Sequence, residues 1–473
     1  MTLAGFKAKL RDLTFEQLQH GVIGEGQQIP GLNGPVPLVY ADYVASGRAM
    51  QVVEEFILTQ VLPFYANSHT EASYCGSFMT RLRRDARSEI ARLMGAKARD
   101  AVVFTGSGAT AGLNRLVSLL GVSEAEQAVV LIGPYEHHSN ILPWRESGAQ
   151  VVEIPEAPEG GVDLAALEQA LRANAGADLI IGSFSAASNV TGILTDPDPV
   201  TRLLHAHGAL AVWDYAGAGP YLPIDMGANG AEPKDAVVVS PHKFPGGPGA
   251  SGVLVVNADC VRRDRPSWPG GGTVSFVSPW RHAYSDDLAT REEAGTPNVI
   301  GDIRAALAFL VKEAVGQQRI EAREHAFSRM AWAQWGTHPQ IEVLGHPQAA
   351  RLPIFSFKVT AADGTPIHQQ LFTRMLSDVY GIQARGGCAC AGPYAHRLLY
   401  IGQDESETLF QELEAGKELK KPGWVRLNFS YLMSEDTVRY VLDSVAELAE
   451  RAPALMDCYS VDPATARFQS KAA

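Results

Sequence analysis

The sequence has no long apolar run and few cysteines, and these absences exclude several classes of protein. No stretch approaches the roughly 18 consecutive apolar residues that a membrane-spanning helix requires. The beginning, MTLAGFKAKLRDLTFEQLQHG, carries charges where a secretion signal has an apolar core, so we expect a cytoplasmic protein. Five cysteines among 473 residues are too few for a disulfide-stapled scaffold. We expect reduced thiols.

The chain also lacks a dense run of basic residues. Its 40 Lys and Arg are outnumbered by 52 Asp and Glu, which gives a formal net charge of -12. This balance argues against a nucleic acid or an anionic membrane surface as the main partner. Apolar residues at 46% and charged residues at 19% are typical of a folded globular protein. We therefore expect a small-molecule ligand.

Short apolar runs alternate with helical patterns in the first two thirds of the chain. The runs are rich in β-branched residues and are bounded by Gly, Ser or Asp; they cover residues 101–104, 128–133, 178–184, 209–214 and 236–240. Continuous apolar strands separated by helices, such as 164–176, indicate βαβ units around a parallel sheet that is buried on both faces. The sequence therefore predicts an α/β fold.

The rest of the chain has a different pattern. The Gly- and Pro-rich stretch 265–280 predicts a long ordered loop. A helical run over 297–335, a strand over 351–359 and a helix over 434–452 then predict a smaller α+β domain. We assign residues 40–310 to a large domain, and residues 1–39 and 311–473 to a small domain.

The segment 102–120, VVFTGSGATAGLNRLVSLL, predicts a strand, a glycine-rich turn and a helix start. Glycines allow close approach of the backbone to a ligand, and the N–H groups of a first helical turn favour a phosphate. The segment does not match the dinucleotide motif, because Ala111 stands where the third glycine belongs. A tight turn without a ligand is the alternative interpretation.

Two further residues have surroundings that suit cofactor chemistry. Lys243 follows a buried strand within SPHKFPGGPGASG, a context unlike that of a solvated surface lysine. Asp214 ends the apolar strand ALAVWD, at the edge where open α/β sheets bind ligands. A buried carboxylate needs a cation, and the pyridinium nitrogen of pyridoxal 5'-phosphate (PLP) is one. An ordinary lysine with a buried stem and a turn-capping aspartate are the alternatives.

In this order, the phosphate turn, PYEHHSN (134–140), Asp214 and Lys243 resemble the class V aminotransferase family of PLP enzymes, in its cysteine desulfurase and selenocysteine lyase branch. The resemblance extends from YADYVASGRA (40–49) to LNFSYLMSEDTV (427–438) and includes ASNVTG, PGGGTV and EAGTPN. It implies the aspartate aminotransferase-like fold (fold type I), with a seven-stranded, mainly parallel sheet in the large domain.

The resemblance also implies a role for each matching residue. Lys243 would bind the cofactor aldehyde covalently, Asp214 would pair with the pyridine nitrogen, and His137, or His138 next to it, would stack on the ring. The phosphate would be held by Gly108, Ala109, Thr110, Ser240 and His242. Asn189 would lie near the ring hydroxyl. Thr273 would reach the phosphate of a second subunit, which implies a homodimer, and Arg426 would bind the substrate carboxylate.

Two positions depart from the family pattern. The family usually has Asp-x-Ala-Gln, whereas this chain has Gly217 in place of the glutamine that bonds the ring hydroxyl. Asn189 or Tyr215 are the candidates to replace it. The acid that commonly follows the phosphate turn is replaced by Ala111.

The stretch ARGGCACAGPYAHRLL (384–399) carries two cysteines on a glycine-rich loop, unlike the buried cysteines of apolar cores. A soft-metal site with His396 and an inert loop are alternatives, although a tetrahedral site lacks further ligands nearby. The stretch resembles the R-T-G-x-x-C loop of cysteine desulfurases. That likeness makes Cys390 the sulfur-accepting cysteine and Arg385 its arginine. Residues 401–432 look similar to the desulfurase domain of molybdenum-cofactor sulfurases.

The resemblance therefore implies a PLP-dependent, cysteine desulfurase-like enzyme that converts L-cysteine to L-alanine and leaves a persulfide on Cys390. We expect no metal, and a sulfur-acceptor protein is a possible partner. One alternative is a class V enzyme of another reaction type, such as an epimerase, a lyase or a transaminase, in which Cys390 is incidental. The other is a noncatalytic sulfur-carrying or metal-binding protein, against which the intact Lys243 and Asp214 argue.

Overall fold

The computed structural model describes residues 2–68 and 70–471 of the chain. These residues form two compact units. Unit 1 comprises Met1–Val22, Ser46–Ala187 and Thr195–Gln317, and unit 2 comprises Ile23–Ala45, Ser188–Leu194 and Gln318–Ala473. Each unit is described by itself below.

The helices carry the labels α1 to α15 in chain order. They are α1 Leu3–Arg11, α2 Phe15–His20, α3 Gln51–Phe56, α4 Tyr74–Leu93, α5 Gly108–Leu119, α6 Leu142–Glu146, α7 Leu164–Ala173, α8 Pro197–Ala206, α9 Leu288–Glu292, α10 Val299–Val315, α11 Gln317–Trp335, α12 Gln369–Tyr380, α13 Gly392–Leu398, α14 Gln403–Glu414 and α15 Glu435–Leu455.

The strands carry the labels β1 to β20. They are β1 Gln28–Gly31, β2 Gly34–Pro37, β3 Val39–Tyr40, β4 Asp100–Gly106, β5 Ala128–Ile132, β6 Gln150–Glu153, β7 Leu179–Ser185, β8 Leu210–Asp214, β9 Ala236–Val239, β10 Gly252–Asn257, β11 Val274–Val277, β12 His282–Tyr284, β13 Ile341–Val343, β14 Ile354–Thr360, β15 Pro366–Ile367, β16 Ile382–Gln383, β17 Arg385–Gly387, β18 Trp424–Asn428, β19 Tyr459–Asp462 and β20 Arg467–Ser470.

Unit 1 is built on a seven-stranded sheet with the order β4-β10-β9-β8-β7-β5-β6. The strands from β9 to β6 pair in parallel, and β10 is antiparallel to both of its neighbours. Strands β7, β9 and β10 are buried along their whole length, as expected for apolar strands covered on both faces. The predicted α/β fold with a mainly parallel seven-stranded sheet is confirmed.

The carboxyl ends of the parallel strands bring candidate residues to one edge of this sheet. Ser185 at the end of β7 pairs in register with Asp214 at the end of β8, and Ser240 directly follows β9. This edge is where open α/β sheets bind their ligands.

One predicted element is wrong in part, and another is interrupted by a glycine. The stretch predicted as a loop over 265–280 contains β11, which forms a hairpin with β12, because the glycines end at Gly272 and β-branched and aromatic residues follow. The predicted helical run over 297–335 is present as two helices, α10 and α11. They are separated at Gly316, whose φ of 84° is incompatible with a continuing α-helix.

Unit 2 contains a sheet with the order β13-β14-β18-β17. The short strand β15 pairs with the last two residues of β14, Val359 and Thr360. All these pairs are antiparallel. Helix α15 begins after Ser434, whose side chain accepts a hydrogen bond from the backbone N–H of Thr437, as the sequence predicts. Its buried face joins the aromatic core around Trp335 and Phe355.

The compact units and the predicted domains divide the amino-terminal segment differently. The prediction groups residues 1–39 with the small domain, whereas residues up to Val22 belong to unit 1. The physical reason is local packing, because the buried Phe6 of α1 contacts Phe56 of α3 with ring centroids 5.1 Å apart. Among residues 2–68 and 70–471, no helix combines the length and the apolar character needed to cross a bilayer.

We expect an ion pair of unit 1 to make stability depend on pH. His205 Nε2 lies 2.9 Å from Asp235 Oδ2, and this hydrogen bond raises the pKa of His205 despite its partial burial. A raised folded-state pKa gives stability that is complete below the unfolded pKa of about 6.5 and is lost as the pH rises through the folded pKa. His205→Gln should therefore cost up to about 1 kcal/mol near pH 5 and less near pH 9.

Urea unfolding of both proteins at the two pH values measures this difference. His207→Gln is the matched control, since His207 lies at the end of the same helix and forms no ion pair with any described residue. An equal cost of His205→Gln at both pH values would contradict the prediction.

Candidate active site

The phosphate turn of unit 1 has the geometry of a close backbone cradle. Gly108 begins helix α5 with a φ of 67°, and a Cβ atom there would lie 2.8 Å from Ser240 Oγ and 2.9 Å from His242 Cε1. The N–H of Ala109 donates to Ser240 Oγ at 2.9 Å. The structure thus joins the glycine turn to the Ser240–His242 segment, at a helix N-terminus suited to a phosphate.

The ring of His242 is uncharged at neutral pH. Burial, together with the neighbouring charge of Lys243, lowers the pKa of His242 to about 4. A neutral imidazole can donate one hydrogen bond and accept another, so His242 fits a ligand-orienting role better than that of a fixed cation. Lys243 follows it as the last residue of a short helical turn, Pro241–Lys243, and its side chain is half-buried.

Asp214 is a buried carboxylate in need of a cation. Its side chain is nearly inaccessible, with a relative exposure of 5%, and its Oδ1 accepts the N–H of Ala216 at 2.7 Å. Burial raises its pKa, while the hydrogen bond from Ala216 and the charge of Lys243 act in the opposite direction. Because a buried carboxylate is stabilised by a positive partner, this site fits a protonated pyridine ring.

His137 is held in one orientation by its neighbours. Its Nδ1 accepts the N–H of Ser139 at 3.1 Å and lies 3.0 Å from Ser139 Oγ, which in turn lies 2.7 Å from Thr110 Oγ1. An accepting Nδ1 places the ring proton on Nε2. These contacts link the predicted ring-stacking residue to the predicted phosphate-binding residue through Ser139. Ser139 lies within PYEHHSN but was not among the predicted site residues.

Glu136 was not among the predicted site residues either, and it connects the segment of His137 to the end of strand β7. Its Oε1 accepts the N–H of Ser185 at 2.8 Å, and its Oε2 accepts Ser185 Oγ at 2.6 Å and Asn140 Nδ2 at 2.5 Å. Burial, with a smaller contribution from the charge of Asp214, raises the pKa of Glu136 to about 7. The only sequence signal for it was an acid beside two histidines.

Three predicted residues have surroundings that the sequence did not indicate. Thr273 is fully buried, and its hydroxyl donates to the carbonyl of Gly270 at 2.7 Å, so its role toward a second subunit stays a prediction. Tyr215 is buried, and burial raises the pKa of its hydroxyl, which therefore stays protonated. Asn189 belongs to unit 2, and its placement near a ring hydroxyl stays a prediction.

Unit 2 holds the predicted carboxylate-binding residue, Arg426, on strand β18. Its side chain is almost wholly buried, its Nη2 donates to Asp42 Oδ1 at 2.8 Å, and its Nη1 donates to the carbonyl of Asn189 at 3.1 Å. Its Nε has no hydrogen-bond partner among the described residues. Burial lowers the pKa of Arg426, while the charges of Asp42 and of Cys390 act against that shift. The role of Arg426 toward a substrate carboxylate stays a prediction.

The cysteine loop follows strand β17 in the same unit. Ala389 and Cys390 have φ values of 54° and 56°, a conformation that costs about 1–3 kcal/mol per non-glycine residue. The side-chain amide of Asn189 donates to the carbonyl of Ala389 at 2.8 Å and thereby helps to hold this conformation. Strain of this kind concentrates at functional sites.

The five cysteines, all among the described residues, differ in exposure. Cys390 is exposed, whereas Cys75, Cys260, Cys388 and Cys458 are partly buried. The Cys260 thiol donates to Asp235, and burial together with that carboxylate raises its pKa to about 12, which keeps it protonated. No group of three or more metal-binding side chains occurs in the described part of the chain.

Comparison with known proteins identifies relatives over most of the chain. The aminotransferase class-V family matches residues 39–440. A probable cysteine desulfurase of Vibrio cholerae is 31% identical over 77% of this chain and 88% of its own length, and one of Halalkalibacterium halodurans is 27% identical over 81% and 94%.

Solved structures share the fold at lower identity. A cysteine desulfurase of Thermococcus onnurineus has a TM-score of 0.71 at 24% identity and covers 87% of this chain and 94% of its own. One of Escherichia coli has a TM-score of 0.69 at 20% identity, covering 92% and 98%. The family match covers most of the chain, and the cradle at Gly108 and the buried Asp214 are consistent with it. The chain therefore belongs to the class V aminotransferase family, whose enzymes depend on PLP.

Proposed function

We propose that the chain is a PLP-dependent cysteine desulfurase that accepts the sulfur of L-cysteine on Cys390. The observation that carries the proposal is the exposed Cys390 on a strained loop, tied by Asn189 to the buried Arg426. The relatives named probable cysteine desulfurase, one of them 31% identical, support the same reaction.

The residues of unit 1 fit the cofactor. Gly108, Ala109, Thr110, Ser240 and His242 would hold its phosphate. Asp214 would hold the ring nitrogen protonated, His137 would cover the ring, and Lys243 would bind the aldehyde. When bound, the cofactor withdraws electrons from the substrate's α-carbon and so allows its proton to leave. Lys243 Nζ takes that proton, and the neutral His242 beside it does not compete for it at neutral pH.

The residues of unit 2 act on the substrate. Arg426 binds the α-carboxylate, and the Cys390 thiolate attacks the substrate sulfur. The bond between Cβ and sulfur breaks and a sulfur–sulfur bond to Cys390 forms. The electron pair of the broken bond stays on the carbon fragment, which takes up a proton and leaves as alanine. Cysteine and the enzyme thiol thus give alanine and an enzyme persulfide without an external oxidant or reductant.

The test compares two cysteine variants of the purified holoenzyme. Cys390→Ala should lower alanine formation from cysteine at least about a hundredfold, because it removes the nucleophile. Cys388→Ala, two residues earlier on the same loop, is the matched control and should keep most of the activity. Mass spectrometry of the wild type after a single turnover should find one additional sulfur atom on the peptide that contains Cys390.

Undiminished alanine formation by Cys390→Ala would remove Cys390 from the mechanism. A racemised or transaminated product would instead favour the class V enzyme of another reaction type. A homodimer and a sulfur-acceptor partner are part of the same proposal, and sedimentation of the holoenzyme tests the first of them.

A further inference from the structure

Two arginines of unit 2 lie directly opposite each other on neighbouring strands. Arg385 of β17 pairs in register with Arg426 of β18. Directly opposed residues of antiparallel strands project from the same face of the sheet, where like charges repel. Arg426 is only 3% exposed, whereas the side chain of Arg385 is 50% exposed, so solvent screens this repulsion only in part.

A single carboxylate relieves the repulsion. Asp42 Oδ1 accepts Arg426 Nη2 at 2.8 Å, and Asp42 Oδ2 accepts Arg385 Nε at 2.9 Å. Asp42 is itself 8% exposed, so both of its oxygens face the two guanidinium groups rather than solvent.

The backbone fixes Asp42 in this position. The preceding residue, Ala41, donates its N–H to the carbonyl of Gln383 and accepts the N–H of Asn428, at 3.0 and 2.8 Å. Two residues after Asp42, the N–H of Val44 donates to Asn428 Oδ1 at 2.9 Å. The carboxylate therefore stands on a segment attached on both sides of Asp42 to Asn428, at the end of the strand that carries Arg426, and attached through Ala41 to Gln383 of β16.

Together the three side chains carry a net charge of +1. One α-carboxylate neutralises that charge. A second carboxylate on the same ligand would then have no unbalanced positive charge among these three side chains. We propose that Asp42 is a positioning and specificity residue, which restricts the site at Arg426 to amino acids with an uncharged side chain, such as cysteine. This inference rests on the proposed function in one respect, namely that Arg426 binds the substrate's carboxylate.

Asp42 also orients the cysteine loop. Through Arg385 it holds the strand that leads into the loop, and through Arg426 it contacts Asn189, whose amide bonds Ala389 beside Cys390. The position of Arg426 and the position of the Cys390 thiol thus both depend on the side chain of Asp42.

The test uses asparagine and aspartate, which have the same shape but differ by one charge. Calorimetric titration of the holoenzyme gives the dissociation constant of each. Asp42→Asn raises the net charge to +2, so the ratio of the asparagine Kd to the aspartate Kd should rise about tenfold, the effect of one partly screened charge. Asp42→Glu keeps the charge and should leave the ratio near that of the wild type.

Two further variants separate charge from structure. Adding Arg385→Gln to Asp42→Asn returns the net charge to +1 and should restore the wild-type ratio. Arg385→Gln alone lowers the charge to zero and should reduce the ratio, which keeps the proposal testable if Asp42→Asn does not fold. Asp378→Asn is the matched control, since Asp378 is a buried partner of Arg374 in the same unit, at 2.7 Å. It should leave the ratio unchanged.

A ratio that does not change in Asp42→Asn, or in Arg385→Gln, overturns the inference even where the wild type forms alanine from cysteine. If neither amino acid binds a wild type that forms alanine from cysteine, the inference is overturned and the proposed function stands; if no alanine forms from cysteine, the proposed function fails and the inference fails with it. A rise in Asp42→Asn that the double variant reverses supports the charge balance.

Discussion

Replacing Lys243 should abolish both turnover and the covalent attachment of the cofactor. Lys243→Ala lacks the amine that binds the aldehyde and moves the proton, so alanine formation should fall at least about 10⁴-fold. Lys243→Arg keeps a positive charge near Asp214 and His242 but has no nucleophilic amine. It should be equally inactive but more stable, because the buried Asp214 retains a cation nearby.

Borohydride trapping followed by peptide mass mapping measures the attachment. The wild type should carry the reduced cofactor on the peptide that contains Lys243, and both variants should carry none. Lys234→Ala is the matched control, since Lys234 is a buried lysine of the same unit that pairs with Asp198 at 3.6 Å. A trapped adduct on a lysine other than Lys243 would contradict the assignment and with it the proposed function.

Asp214→Asn should have opposite effects on activity and on the stability of the protein without cofactor. The amide keeps an oxygen for the N–H of Ala216 but cannot pair as an anion with a pyridinium. Losing one partner of a buried ion pair costs about 3–5 kcal/mol, so kcat should fall about 10²–10⁴-fold. Without cofactor, the variant should be more stable than the wild type, because no carboxylate is buried at this position.

Steady-state kinetics of the holoenzyme and urea unfolding of the apoprotein measure the two effects. Asp302→Asn serves as the control, since Asp302 is an equally buried carboxylate of unit 1 whose partner is Arg83 at 2.6 Å. That variant should lose stability with or without cofactor. An apoprotein that is destabilised by Asp214→Asn would show that Asp214 already has a sufficient partner within the chain.

The parts of the structure that depend on neighbouring residues were predictable from the sequence. The apolar runs that became β5, β7, β8 and β9 are recognisable because a strand buried on both faces needs a continuous series of apolar side chains. The start of α15 at Ser434 depends on a hydroxyl that caps N–H groups within three residues. The hairpin of β11 and β12 was missed because its signal is short and follows a run of glycines.

The residues that hold the candidate site together were not predictable. Glu136 supports the segment of His137 through Ser185, which is 49 positions away, and Asp42 meets Arg385 and Arg426 at separations of 343 and 384 positions. An aspartate or glutamate has no local pattern that reveals which distant cation or hydroxyl it will contact.

The sequence by itself determined the α/β architecture, the family and the residues whose chemistry a PLP enzyme requires, because strand periodicity and reactive side-chain types are properties of short segments. The tertiary structure alone decided which charges balance one another: Asp214 is buried at the end of β8, Asn189 holds the carbonyl of Ala389, and Asp42 lies between two arginines. These contacts join segments far apart in the chain, and burial sets their strength, since a charge or a polar group has a large effect only where solvent is excluded.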